Sequence, residues 1–213
     1  RAMLAKQLDD IARRMSLIAI VATSAIMVTT LSHQQQAYAY HYGGQKWSTG
    51  YFQHCTDNTI SSLNVDGSTN QSTKVTNAIS SASSSWYQTG GSQYKPTFTF
   101  GCIDPRFDNF WGAANLGSSL TPAVTTSTFS GSTITRSYTQ FNTSNLWTST
   151  GCVEDGVHNN LTYVALHELG HKVRFVDVSD TAGKTSVMVV PYHCNMQNSV
   201  KADDSSETKM VYS

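Results

Sequence analysis

Apolar residues in this chain recur with two different periods, and the change of period predicts the elements. Leu161, Val164, Ala165, Leu169 and Val173 recur at steps of three and four, the spacing that lines up one face of an α-helix. Asn159 or Asn160 stands where a capping side chain is needed. Ser68 to Trp86 predicts a second helix, with Val75, Ile79, Ala82 and Trp86 on one face. Serine is a poor helix former, so packing must hold that helix, and Gly90-Gly91 ends it. Gly50 to His54, Lys95 to Phe100, Ala123 to Phe129 and Thr133 to Phe141 read as strands. The last two flank Ser130-Gly131-Ser132 and predict a hairpin. A loop begins at Asp104-Pro105, and Gly112 to Gly117 is a short stretch of small residues.

The front of the chain has another pattern. Arg13 and Arg14 precede an apolar run from Leu17 to Leu31, and a polar stretch ends in Ala37-Tyr38-Ala39. A positive region, an apolar core and a small-residue site in that order make an export signal. The run is shorter than the roughly 20 residues a membrane span needs. Residues 1–39 are therefore expected to be signal peptide and upstream residues, and 40–213 a single domain of a secreted protein.

Composition changes the picture little. The 213 residues carry a formal net charge of +0, with 13% charged. No basic excess favours nucleic acid, and no stable membrane association is expected after signal cleavage. Four cysteines (Cys55, Cys102, Cys152, Cys194) follow the signal, an even count that predicts two disulfides in an exported chain. Three pairings are possible, and Cys55–Cys102 with Cys152–Cys194 is the favoured one. No C-x-x-C spacing supports a cysteine metal site.

Candidate chemistry sits on the first helix. His167-Glu168-Leu169-Gly170-His171 places two imidazoles one turn apart on one face, where both can grip one cation. Imidazole suits zinc. Glu168 can reach a water on that metal and take its proton. A histidine pair on a solvated helix face is the bland reading, and the apolar stripe argues against it. Asp104, Asp108 and Asn109 offer oxygens of the kind calcium takes, but match no fixed loop spacing, so a solvated turn is preferred. Phe107, Phe110 and Trp111 are read as core plugs before a substrate shelf.

Downstream, Asp177 lies ten residues after His167, and Ser186-Val187-Met188 leads into Pro191-Tyr192. With His-Glu-x-x-His this resembles the metzincin metallopeptidases, whose second histidine is followed by x-x-Gly-x-x-His or x-x-Gly-x-x-Asp and then a methionine turn. An aspartate third ligand is typical of the snapalysin-like branch. Thr133 to Asn142 is similar to the matrixin strand ending in Phe-Asn, and Ala202-Asp203-Asp204 through Tyr212 to the matrixin closing helix. The resemblance implies a mixed α/β fold of the α+β class: a twisted sheet, a backing helix, an active-site helix and a small irregular C-terminal subdomain. It implies one catalytic Zn2+ on His167, His171 and Asp177, Glu168 as general base, and Met188 as a floor under the metal. The implied activity is that of a secreted, monomeric zinc endopeptidase. Its extended peptide or protein substrate would pair with an edge strand in the region Asn115 to Phe129.

The chain departs from the pattern at Arg174, where the clan has glycine. That glycine takes a positive φ and turns the chain back toward the metal. Arg174 either keeps the bend at a cost of about 1 kcal/mol or lengthens the helix, with Asp180 or His193 replacing Asp177. The second outcome motivates a catalytically impaired binding module as the alternative function. A zinc hydrolase of a non-protein amide is a third reading. Val190 stands where a tyrosine often follows the methionine turn, with Tyr192 a poor substitute. Ser205 and Thr208 occupy positions usually apolar, predicting loose docking of the closing helix.

Overall fold

The computed structural model describes residues 42–89, 94–102, 109–118, 120–151, 158–179, 186–190 and 199–212, all within the unit Tyr40–Ser213. Among the described residues ten strands and three α-helices follow in the order β1 (Tyr51–Thr56), β2 (Asn64–Val65), α1 (Ser72–Gln88), β3 (Lys95–Thr99), β4 (Asn109–Ala114), β5 (Ala123–Ser130), β6 (Thr133–Asn142), β7 (Leu146–Thr148), β8 (His158–Asn160), α2 (Leu161–His171), β9 (Val178–Ser179), β10 (Val189–Val190) and α3 (Ala202–Tyr212). The fold is mixed α/β. Its main sheet is twisted, five-stranded and ordered β3-β1-β4-β6-β5. All neighbours run parallel except β5, which pairs antiparallel with β6 and forms one edge.

β4 was not expected as a strand. Asn109 to Ala114 reads as loop and small residues because it is central and parallel, covered on both faces, and so lacks polar alternation. Trp111 is buried on the helix-facing side and stacks on Phe141, while Phe110 lies against Tyr138. Asn109 is a sheet residue, not a calcium ligand: its Oδ1 accepts from Ser137 N and its Nδ2 donates to Gln53 O. Asp104, Phe107 and Asp108 fall outside the described residues, as do Asp180, Tyr192 and His193.

α1 begins four residues later than its apolar spacing predicts. Asp66, Gly67 and Asn70 all take positive φ, so the chain turns there before it can become helical. Asp66 pins the turn with Lys74 Nζ at 2.8 Å and Ser149 N at 3.0 Å. The helix then packs on α2, where Trp86 Nε1 donates to Leu166 O at 3.0 Å. Tyr94 Oη donates to Leu169 O at 2.8 Å. α2 thereby packs against α1 and β5 and is buried almost all round.

Cys55 and Cys102 form a disulfide; Cys152 and Cys194 lie outside the described residues. No helix among the described residues is long and apolar enough to cross a membrane. The closing helix α3 does not dock loosely. Ser205 and Thr208 are buried, and each hydroxyl donates to a carbonyl three residues back, so burial leaves no orphan donor.

Candidate metal centre

α2 starts where Asn160 Oδ1 accepts from Tyr163 N at 3.0 Å, a side-chain cap. Its end decides the site. Phe175 N donates to Gly170 O at 3.1 Å and Arg174 N to His171 O at 2.9 Å, the paired bonds of a Schellman motif. The residue at the left-handed position is Arg174, with φ 67°. The helix is therefore not lengthened: an arginine takes the conformation a glycine adopts more cheaply, and the chain turns back.

The turn brings Asp177 to the two histidines. Its Oδ1 lies 3.1 Å from His167 Nε2 and 3.1 Å from His171 Nε2. Each imidazole is aimed by a carbonyl behind it: His167 Nδ1 meets Val187 O at 2.9 Å, and His171 Nδ1 meets Phe175 O at 2.7 Å. A carbonyl only accepts, so each neutral ring carries its proton on Nδ1 and leaves Nε2 as the lone-pair donor. The two imidazoles beside Asp177 hold its carboxyl well below the usual range. Burial disfavours a charged His171, but Asp177 and Glu168 outweigh it and raise its pKa.

The ligand atoms of His167, Glu168 and His171 lie within 4.8 Å of one another, a group able to hold a metal ion. Asp177 Oδ1 is close to both ring nitrogens, whereas Glu168 is engaged elsewhere. Its Oε2 accepts from Thr125 Oγ1 at 2.5 Å, and Thr125 Oγ1 also meets Thr139 Oγ1 at 2.7 Å. Thr125 had no signal in the sequence, because nothing local ties β5 to α2.

The Met188 side chain packs against α2 at Gly170. A Cβ built on Gly170, between the two histidines, would overlap Met188 Sδ, so this glycine is required by a close approach and not by its φ. Asp204, at the start of α3, holds the methionine turn in place. Its carboxylate accepts from Ser186 Oγ at 2.6 Å and from Val187 N at 3.3 Å. One path thus runs from Asp204 through Val187 to the His167 ring.

Lys172, the residue after His171, is fully buried. Its Nζ lies 3.4 Å from Ser137 Oγ and 4.8 Å from the Trp111 ring centroid. Burial drives its pKa down to about 7, with the Glu168 charge opposing.

The metal-binding group opens into a cleft of about 730 Å³ between α2, the Arg174–Asp177 turn, Val190 and the chain from Leu120 to Thr125. The first half of edge strand β5 forms one wall, within the Asn115 to Phe129 region expected to hold the edge. Leu120, Val124 and Val176 expose apolar side chains there. Asn142 shapes the approach: its side chain bonds Leu116 N, Ser118 O and Thr121 O. A scan against protein-family models and a search of curated proteins return no match for this chain.

Proposed function

We propose that this chain is a secreted zinc endopeptidase of metzincin type, with His167, His171 and Asp177 as ligands and Glu168 as general base. The observation that carries the reading is the single carboxylate oxygen 3.1 Å from both Nε2 atoms. Three ligands about 2.0–2.1 Å from a tetrahedral ion stand about 3.3–3.4 Å apart, so small outward shifts of these groups fit zinc. Two neutral imidazoles and a carboxylate are also a donor set that zinc favours.

Bound zinc would polarise a scissile carbonyl and acidify the attacking water. Glu168 takes the proton from that water and passes it to the leaving amine. Thr125 holds one carboxylate oxygen of Glu168, leaving the other for proton transfer. The carbonyls of Val187 and Phe175 keep both rings in one tautomer. The outer edge of β5, which has no strand partner among the described residues, and the apolar side chains beside it suit an extended peptide added as a further strand. Arg174, the residue that motivated an impaired module, keeps the bend and so supports a complete ligand set. The disulfide and the expected signal support export.

The test is metal analysis of the purified protein together with casein cleavage. One zinc per chain, cleavage abolished by a chelator, and loss of turnover but not zinc in Glu168→Ala are expected. Zinc without proteolysis would favour a non-protein amide as substrate. Absence of zinc would leave a binding module.

A further inference from the structure

The proposed chemistry uses Arg174 only for its backbone, yet its side chain is also placed. The guanidinium carbon sits 5.0 Å from the Phe129 ring centroid, and Nε donates to Gln45 Oε1 at 3.2 Å. Gly43 leaves the room: a Cβ there would come within 2.9 Å of Nε. The group is thus held by a ring, an amide and a glycine gap, and lines the cleft. No ion pair with Arg174 occurs among the described residues. It is a pre-positioned cation whose remaining N–H donors have no carboxylate partner among the described residues.

Its place along the cleft follows from strand register. Thr125, Ser127 and Phe129 share one face of β5 by strand alternation, opposite Thr139, Ser137 and Ile134 of β6, where the extra residue Thr135 brings Ile134 onto that face. Thr125 meets Glu168. Phe129 is four residues further on, roughly 13 Å at about 3.3 Å per residue. Leu120 to Ala123 border the opposite end of the cleft. Arg174 therefore stands at one end only.

We propose that Arg174 is a specificity-determining residue, binding a side-chain carboxylate of the peptide. This rests on the endopeptidase reading for the position of the scissile bond. A peptide added antiparallel, the more stable pairing, places residues before that bond against the second half of β5. The carboxylate then belongs to an Asp or Glu roughly three or four residues before the cut. A planar guanidinium grips such a group through two parallel N–H···O bonds.

The experiment measures binding of amidated, fluorescent peptides to the full-length Glu168→Ala protein, which holds peptide without cutting it. Paired peptides carry Asp or Asn at successive positions along one sequence, aligned on the bond cleaved by wild type wherever cleavage occurs. Asp at the third or fourth preceding position is expected to tighten binding about tenfold or more, an advantage that shrinks with added salt. Adding Arg174→Gly, which keeps the left-handed bend while removing the guanidinium, should bring the Asp-to-Asn ratio to about 1, and Arg174→Lys should retain part of it. Equal binding of the pairs, binding of neither, a preference confined to the other side of the bond, or one that survives Arg174→Gly would overturn the proposal. Zinc content and casein cleavage by wild type keep the two readings apart. Cleavage without an acidic preference removes only this role for Arg174, whereas an Arg174-dependent preference in a protein that never cleaves removes only the endopeptidase.

Discussion

Thr125 of the edge strand donates its hydroxyl to Glu168 of the buried helix, 43 residues away in the chain. This bond links the wall of the cleft to the proposed chemistry, because the strand that would hold a substrate also fixes the proposed base. Thr125→Val keeps the shape and removes the donor. The expected result is normal zinc content with kcat reduced about tenfold, since a bond to a charged group contributes about 1.5–3 kcal/mol. Unchanged kcat would show that Glu168 is aimed without Thr125.

Asp177→Ala tests the third ligand directly. Zinc affinity should fall by at least about 100-fold, beyond what loss of an outer partner of a ligand usually causes. A competitive chelator titration reads it, and affinity within a few-fold of wild type would remove Asp177 from the ligand set.

Asp204 is expected to act on the metal from a distance. Asp204→Ala strips Ser186 and Val187 of their acceptor, leaving buried donors unpaired at a cost of about 2–4 kcal/mol. Urea melts should show that loss in the zinc-free protein. Zinc affinity should fall as well, because Val187 O aims the His167 ring. A stability loss with affinity intact would separate the turn from the ligand.

Gly170→Ala sets helix propensity against packing. Alanine favours a helix by about 1 kcal/mol, but its methyl group would overlap Met188 Sδ. Net destabilisation of about 1–3 kcal/mol is expected. Adding Met188→Ala should recover part of it, so a double-mutant cycle gives a coupling well outside error. Additive effects would show that the two side chains do not compete for one space.

Lys172 gives the zinc-free protein a pH dependence. Its pKa falls from 10.5 when unfolded to about 7 in the fold, so between those values the unfolded chain binds more protons and stability rises with pH. The penalty is complete below about pH 7 and relieved by about pH 10.5, with an upper size on the order of 5 kcal/mol. Lys172→Met should therefore be more stable than wild type near pH 6, and the gap should close toward pH 10. A gap independent of pH would mean that the lysine is not buried as a charge.

The helix carrying the two histidines was legible because its information is local. Spacing of Leu161, Val164, Ala165 and Leu169 marks a helix, and two histidines four apart on it face the same way whatever surrounds them. The β5–β6 hairpin was legible for the same reason, with Gly131 at φ 58° between two alternating strands. β4 was not: buried on both faces, it carries no alternation, and its pairing with β1 and β6 joins residues far apart in sequence. Ser205 and Thr208 misled because each satisfies its hydroxyl inside its own helix and so can be buried like an apolar residue.

By itself the sequence determined which groups stand on the helix, namely His167, Glu168 and His171, since 3.6 residues per turn sets their mutual direction. It left two conformations open at Arg174, because a left-handed arginine costs only about 1 kcal/mol, a sum that neighbouring contacts can readily outweigh. Tertiary structure decided between them. The capping bonds to Gly170 and His171, the gap at Gly43 and the ring of Phe129 together offset that strain. Asp177, Thr125 and Asp204 reach the site only through that folded arrangement.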